Sequence, residues 1–174
     1  INTADKPPYS TETNAGIYDK IVVKVFENIG LQIKINHLSS ARSIENLDIG
    51  LDDAEYARIK GLSEQYKNIR IVDEKLIDFA FTAFAKDPTI KINGWDSLKN
   101  YNVAFMQGWK IYEINVKDTK SIHMVSSETE LFKILSTDRV DVILYEKLRG
   151  YDFMKKNNIT GIVPLESPLS VRGM

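Results

Sequence analysis

The chain has 174 residues, of which 43% are hydrophobic and 27% are charged, so it can bury the core of one ordinary domain or of two small lobes. Its formal net charge of −1 argues against a nucleic-acid partner, because phosphate binding normally needs a basic face. The lack of cysteine excludes disulfides, thiolate catalysis and cysteine-based zinc sites, and no apolar run approaches the roughly 20 residues that direct membrane insertion requires.

The first fifty residues alternate strand and helix patterns, which predicts the βαβα beginning of an α/β fold. Residues 1–4 indicate a short strand that ends at a Pro-Pro turn. Residues 14–30 show helical apolar spacing and end at Gly30, which is typical of a helix cap. Residues 31–38 alternate apolar and polar side chains as a strand does, and residues 39–50 predict a serine-capped short helix.

The middle of the chain predicts extended structure. Residues 51–66 have an unclear period and are interpreted as a strand followed by an irregular helix. Residues 69–73 and 76–86 alternate apolar and polar positions, which predicts two strands. The second is long enough to cross between two lobes, and we expect the crossover near Phe81 to Lys86.

From residue 102 onward the strand–helix rhythm restarts, which predicts a second lobe similar to the first. Strands are predicted at 102–106, 121–125, 140–145 and 160–165, with the start of another at 167–174. Helices are predicted at 109–116 and 127–137, and a broken helix at 146–158.

Five local patterns follow one another along nearly the whole chain. They are the first strand leading to PPY, then NAGIYDKIVVKVFENIGLQIKI, LDIGLDDAE, WDSLKNYNVAFMQGW and LFKILSTDRVDVILYE. In this order they resemble the type II periplasmic solute-binding proteins that serve polar amino-acid transporters (bacterial extracellular solute-binding protein family 3), and the sensor domains of the same fold. The resemblance implies an α/β, two-lobed fold, with lobe one at 1–83, lobe two at 84–165 and the start of a return crossover to lobe one at 166–174.

The resemblance implies a binding function and no enzymatic activity, cofactor or metal. Two lobes would close on a small polar, amino-acid-like solute in an interlobe cleft, for delivery to an ABC transporter or for signalling through a sensor kinase. It further implies a periplasmic or other extracytoplasmic location after removal of a signal peptide. Because family members cross back and complete lobe one, we expect the C-terminal part of that lobe to be missing from this chain.

The turn after residues 102–106 holds three candidate ligand-binding residues. On the family pattern Gly108 would form the tight turn at the carboxyl end of the first strand of lobe two. Trp109 and Lys110 would begin a helix whose free N–H groups attract anions. Family members commonly carry Ser or Thr where Trp109 stands, so the site for the ligand carboxylate would be rebuilt here. Trp95, by contrast, is interpreted as a packing residue.

Two further candidates lie in lobe one. The family's arginine that binds the ligand carboxylate has no counterpart at the matching place, but Arg58 lies nearby and could bind an anion bidentately. The alternative for Arg58 is a solvated or salt-bridged surface side chain. Tyr9 follows two prolines and could stack on a ligand, or it could pack in the core.

Glu146 is the candidate for the ammonium group of the solute. The family's carboxylate with this role lies five residues after the Asp of a buried strand, and Glu146 lies five residues after Asp141. The alternative is that Glu146 caps the helix that follows.

Two other functions stay open on the sequence alone. A dehydratase-like enzyme on the same fold could use Glu146 and Glu55 as acid and base. The effector domain of a transcription regulator would need a helix-turn-helix before Ile1, so it ranks third.

Overall fold

A computed structural model describes residues 1–4, 6–56 and 66–173. The chain divides into two compact units, which we call the first unit (Ile1–Asp78 with Gly173) and the second unit (Phe79–Arg172). The sequence predicts different boundaries, with lobe one at 1–83, lobe two at 84–165 and a return crossover at 166–174. These lobe boundaries remain a prediction. Within the described ranges, no helix is long and apolar enough to cross a membrane.

The first unit contains two short strands and two helices among its described residues. They are β1 (Asn2–Thr3), α1 (Ile17–Asn28), β2 (Asn36–His37) and α2 (Ser40–Asp48), with β1 and β2 paired in parallel. The helix α2 begins where the sequence predicts, because the Ser39 side chain accepts a hydrogen bond from the backbone N–H of Arg42 at 3.4 Å.

The strand predicted at 69–73 is wrong. These residues form no strand, and the side chains of Ile71 and Val72 are 46% and 81% exposed. Alternating apolar residues form a strand only where a neighbouring strand pairs with them and covers one face. For the same reason the strand predicted at 31–38 is reduced to the two residues of β2, which pair with β1.

A buried carboxylate organises the start of α1. The Asp19 side chain is fully buried and accepts hydrogen bonds from the hydroxyls of Ser10 (2.5 Å) and Tyr56 (2.6 Å). It also accepts the backbone N–H groups of Thr11 (3.0 Å) and Gly16 (2.9 Å). Burial raises the pKa of Asp19, but these four hydrogen bonds outweigh that effect and hold it below its usual range.

The second unit is built on a six-stranded sheet. Its strands are β3 (Asp78–Ala85), β4 (Asn102–Met106), β5 (Ser121–Val125), β6 (Val142–Glu146), β7 (Val163–Pro164) and β8 (Ser170–Gly173). The order is β5-β4-β6-β3-β7, with β8 also paired to β3. The strands β5, β4 and β6 are parallel, whereas β3 runs antiparallel to β6 and β7.

Helices follow the parallel strands where the sequence predicts them. They are α3 (Lys110–Asn115), α4 (Glu128–Ser136) and α5 (Lys147–Lys156), and a 3-10 helix (Trp95–Asn100) precedes β4. Side chains alternate along the sheet between two apolar clusters. One cluster includes Val103, Phe105, Val142 and Leu144, and the other includes Ala104, Phe132, Ile143 and Tyr145.

The prediction of a broken helix at 146–158 is wrong, because α5 is continuous through Gly150. The reason is packing. A Cβ atom at Gly150 would lie 2.2 Å from the ring of Phe84, so only glycine lets the helix pack this closely on β3. The glycine that interrupts the helical pattern in the sequence is a contact point between helix and sheet.

Candidate functional site

Three parallel strands of the second unit end side by side, and each leads into a helix. Trp109 immediately precedes α3 after β4, Ser127 precedes α4 after β5, and Glu146 ends β6 and precedes α5. Open α/β sheets place ligands at the carboxyl ends of their strands. We call the residues 108–110, 127–128 and 145–149 at this edge the strand-end cluster.

Trp109 is the centre of an aromatic group in this cluster. Its ring is stacked on Tyr112 with centroids 5.7 Å apart and an interplanar angle of 4°, and it lies 4.9 Å from the ring of Tyr145. Phe81 meets it edge-on at 6.2 Å. The side chain is only partly buried, so it supports the core and still offers an accessible aromatic surface.

Two buried tyrosines lie beside Trp109, and burial keeps both phenols uncharged. Burial raises the pKa of Tyr112, and the nearby negative charge of Glu146 raises it further. Burial also raises the pKa of Tyr145, whose hydroxyl donates a hydrogen bond to Glu128. Both phenols are therefore neutral at physiological pH.

Glu146 is 1% exposed and caps α5. One carboxylate oxygen accepts the backbone N–H of Leu148 at 3.1 Å, and the other accepts the N–H of Arg149 at 2.9 Å. Glu146 therefore caps α5, which is the alternative role that the sequence left open. Each carboxylate oxygen has a second lone pair that these capping bonds do not use, and a ligand contact for Glu146 stays a prediction.

The turn at Gly108 carries a carboxylate from the same chain. Gly108 has a φ of 86°, which suits a glycine in a tight turn after β4. Its backbone N–H donates to Glu113 at 2.7 Å, and the Lys110 ammonium pairs with the same carboxylate. The hydrogen bond from Lys110, followed by that from Gly108, holds the pKa of Glu113 below its usual range. Both predicted anion-binding groups thus have an intramolecular partner.

Arg149 is a residue of the cluster that the sequence analysis missed. Its guanidinium carbon lies 6.0 Å from the ring centroids of both Phe79 and Trp109. Phe79 lies near the start of β3, 70 residues before Arg149, so only the folded structure brings them together. The one signal in the sequence was its position three residues after Glu146, at the next turn of the helix.

The two remaining candidates lie in or near the first unit. Tyr9 is fully buried and stacks on Tyr18 with centroids 5.1 Å apart, so it packs in that core, and a ligand contact for it stays a prediction. Arg58 lies outside the described residues. No group of three or more His, Asp or Glu side chains that could hold a metal occurs among the residues the structure describes.

Comparison with solved structures identifies the fold. An ancestral cationic amino acid solute-binding protein aligns over 99% of this chain and 78% of its own with a TM-score of 0.72 at 19% identity. The GluR0 ligand-binding core in complex with L-glutamate aligns over 99% and 80% with a TM-score of 0.67 at 13% identity. A mutant of ArgBP from T. maritima aligns over 99% and 77% with a TM-score of 0.58 at 18% identity.

The chain has the type II periplasmic binding protein fold. The α/β fold class predicted from the sequence is therefore confirmed, and the identities below 20% show the fold alone.

Sequence comparison adds little to this result. No family profile matches the chain. One curated relative, an uncharacterized protein of Shewanella oneidensis, is 25% identical over 130 residues, which cover 71% of this chain and 49% of that protein. The chain thus spans about half the length of the curated relative it matches.

Proposed function

We propose that this chain binds a small amino-acid-like solute at the strand-end cluster, through Glu146, Trp109 and the groups around them. The observation that carries this proposal is the carboxylate of Glu146 at the end of a parallel strand, directly after Tyr145, whose ring lies 4.9 Å from that of the partly exposed Trp109. The carboxylate can accept an ammonium group, and the indole offers an aromatic surface to the rest of the solute.

The structural neighbours support the solute class. The neighbours are amino-acid-binding proteins, and they include a core bound to L-glutamate and ancestral arginine-binding proteins bound to glutamine or arginine. Carrying that class to this chain is part of the proposal, because low identity conveys the fold and not the ligand.

Binding without catalysis is favoured by the neighbours, which are binding proteins. Of the two acidic candidates for the dehydratase-like alternative, Glu146 caps α5 with both oxygens and Glu55 accepts a hydrogen bond from Ser43. Turnover of a bound solute is the result that would favour that alternative.

The wider role follows from the proposed solute. We propose an extracytoplasmic protein that presents its solute to an ABC transporter, or a sensor domain that signals its presence to a kinase. The two roles share the same binding step, and they differ in the partner that recognises the bound form.

A thermal-shift screen with L-glutamate, L-glutamine and L-arginine tests this function. A ligand at 100 times its dissociation constant stabilises a protein by about 2.7 kcal/mol, which raises the melting temperature by several degrees in a chain of this size. N-acetyl-L-glutamine and D-glucose serve as controls that lack an ammonium group. No shift with any amino acid would refute the proposed solute class, and turnover of the bound amino acid would refute a pure binding function.

A further inference from the structure

One edge of the sheet in the second unit is open. Among the residues that the structure describes, β5 pairs with β4 alone, and it stands at the end of the strand order. The carbonyl of Val125 accepts the N–H of Gln107 at 2.9 Å and therefore points toward β4. Because backbone groups alternate along a strand, those of Ile122 and Met124 point to the open side. An edge of this kind can accept a further strand.

Two apolar rows cross the sheet and reach this open edge. Each row has buried side chains on β6 and β4 and an exposed side chain on β5; they are Val142, Val103 and Ile122 in one row, and Leu144, Phe105 and Met124 in the other. Ile122 is 44% exposed and Met124 is 57% exposed. The apolar layer of the core thus continues to the edge strand, where it meets solvent.

The two ends of β5 carry opposite charge. The exposed charged residues just before the strand are two lysines and one aspartate, Lys117, Asp118 and Lys120. Those after it include Glu128 and the exposed Glu130. The Glu130 carboxylate accepts the backbone N–H of Ser126, the first residue after β5, at 3.3 Å, so its charge lies at the strand end. Two such strands attract each other when they run antiparallel, because each basic start then meets an acidic end.

We propose that β5 pairs antiparallel with β5 of a second copy of this chain, with His123 on the two-fold axis. In this register Ile122 of each copy lies opposite Met124 of the other, so both apolar rows continue across the contact. The backbone groups of these two residues face the open side and supply the hydrogen bonds between the copies. The two sheets then form one continuous sheet.

The charges match in the same register. Lys120 lies opposite Ser126 of the second copy, beside the Glu130 carboxylate, and the two-fold axis makes this contact twice. An axis at Ile122 or at Met124 would instead place an apolar side chain opposite Lys120 or Ser126. A parallel pairing in register would bring like charges together at both ends. A second copy in the antiparallel register therefore fits this edge in both apolar surface and charge.

The size of the contact predicts a weak, concentration-dependent dimer. Interfaces below about 1,200 Å² are typical of transient complexes, and a single strand pair belongs to this class. We expect a dissociation constant of about 1–100 μM, which sedimentation of the whole chain between about 1 and 500 μM measures.

Cysteine substitution tests the register, because the chain itself has no cysteine. His123→Cys brings two thiols together at the axis, where opposed Cα atoms of a non-hydrogen-bonded pair lie about 4.5 Å apart, within disulfide range. Under a mild oxidant it should form a covalent dimer about tenfold faster than Met124→Cys or Val171→Cys, in which the two thiols lie too far apart to bridge. Val171 is a matched control, since it is a 49% exposed residue of β8, elsewhere in the same sheet.

Charge exchange tests the contact at the strand ends. Lys120→Glu and Glu130→Lys each place like charges together twice, so each should weaken the dimer about tenfold. The double variant restores opposite charges and should return the dissociation constant to within about threefold of the wild type. This rescue separates pairing from any effect of Glu130 on the start of α4, since a loss of that local contact persists in the double variant.

The outcomes decide between a second copy and other occupants of this edge. A wild-type chain that stays monomeric at about 500 μM overturns the proposal, and it does so even if His123→Cys does not fold. Equal rates of crosslinking in the three cysteine variants, or a double charge variant as weak as the single ones, also overturn it. A concentration-dependent dimer with fast His123→Cys crosslinking and charge rescue supports it.

Discussion

In the second unit six strands share one sheet with an apolar cluster on each face, whereas the described part of the first unit has only β1 and β2, each two residues long. The first unit compensates with side-chain carboxylates, of which Asp19 is fully buried and Asp52 partly exposed. Asp19 receives four hydrogen bonds, and Asp52 receives the side-chain amides of Asn2 (2.8 Å), Asn46 (2.8 Å) and Asn36 (3.3 Å).

The difference has a physical reason. Buried backbone and side-chain donors need acceptors, and a long sheet supplies them from its own carbonyls. Two-residue strands supply few, so ionised carboxylates accept the remaining N–H and O–H groups in the first unit. We therefore expect the second unit to depend on apolar volume and the first unit to depend on negative charge.

Removing volume from the second unit should have the largest effect. Phe132 is 1% exposed and packs against Phe84, Tyr145 and Phe153. Phe132→Ala should lower the free energy of unfolding by about 3–5 kcal/mol, the usual cost of emptying a buried aromatic site. Both tryptophans, Trp95 and Trp109, belong to the second unit, so tryptophan fluorescence during urea unfolding reports on this unit.

The control for this change is Ile114→Ala, because Ile114 lies in the same unit and is 61% exposed. It should stay within about 0.5 kcal/mol of the wild type. A loss below about 1 kcal/mol for Phe132→Ala would mean that the apolar clusters do not dominate the stability of the second unit.

Removing charge from the first unit should have the next largest effect. Asp19→Asn keeps the shape and weakens four hydrogen bonds to a charged acceptor, each of a kind typically worth about 1.5–3 kcal/mol. We expect a loss of about 2–3 kcal/mol for the whole change, since the amide oxygen still accepts some of the donors. Hydrogen exchange of the α1 amides measures the effect within this unit.

The same variant has a pH signature. The pKa of Asp19 is lowered on folding, so its ionised form stabilises the folded protein above about pH 4, the unfolded value. That contribution is lost as pH falls through the lower folded value. Protection of α1 should therefore decrease below about pH 4 in the wild type and change less in Asp19→Asn. Glu27→Gln, an exposed carboxylate on α1, is the control, and equal pH profiles for all three proteins would contradict the role of Asp19.

Periodicity predicts those parts of the fold in which packing is local. The parallel strands and α3 to α5 follow from apolar spacing, and Ser39 and Ser127 mark helix starts because a hydroxyl caps the next turn. The strand at 69–73 could not be excluded, because alternation does not say whether a neighbouring strand exists. The continuity of α5 also depends on a distant contact, that of Gly150 with Phe84.

The candidate site divides in the same way. Glu146 was chosen on the resemblance, which places the family's carboxylate five residues after an Asp; Asp141 lies just before β6 and Glu146 ends it, and the binding role of Glu146 stays a prediction. Arg149 could not be chosen in this way, because its position depends on two aromatic rings, Phe79 and Trp109, from other elements. Asp19 was missed as a structural centre for the same reason, since Tyr56 reaches it from 37 residues away.

A charge change in the strand-end cluster should affect binding more than stability. Glu146→Gln should weaken binding of L-glutamine about tenfold or more through loss of a charge-assisted contact. Its effect on unfolding should be about 1 kcal/mol or less, as expected for a weakened helix cap. Calorimetry and urea unfolding on the same variant separate the two effects.

The matched control is Ser39→Ala, because Ser39 lies outside the cluster and caps α2, where its side chain accepts the backbone N–H of Arg42 at 3.4 Å. It should lower stability by about 1 kcal/mol and leave the affinity unchanged. Unchanged affinity in Glu146→Gln would assign Glu146 to capping alone.

The smallest expected effect is that of Trp109→Ala. It should weaken solute binding by about 1 kcal/mol and also lower stability, because the ring contacts Tyr112, Tyr145 and Phe81. Trp95→Ala is the control, since Trp95 contacts Tyr112 at 6.2 Å and packs on the core as the sequence predicts. It should lower stability alone. Equal effects on affinity in both variants would mean that Trp109 does not contact the solute.

The most direct measurement of the central claim is an NMR titration of the isotope-labelled chain with L-glutamine and L-arginine. We predict that the largest shift changes occur at the indole N–H of Trp109 and at the backbone amides of Leu148 and Arg149, both of which donate to the Glu146 carboxylate. Saturation of these changes should give the dissociation constant found by calorimetry. Saturable binding that leaves these signals in place and shifts others, such as those of β5, would contradict the account.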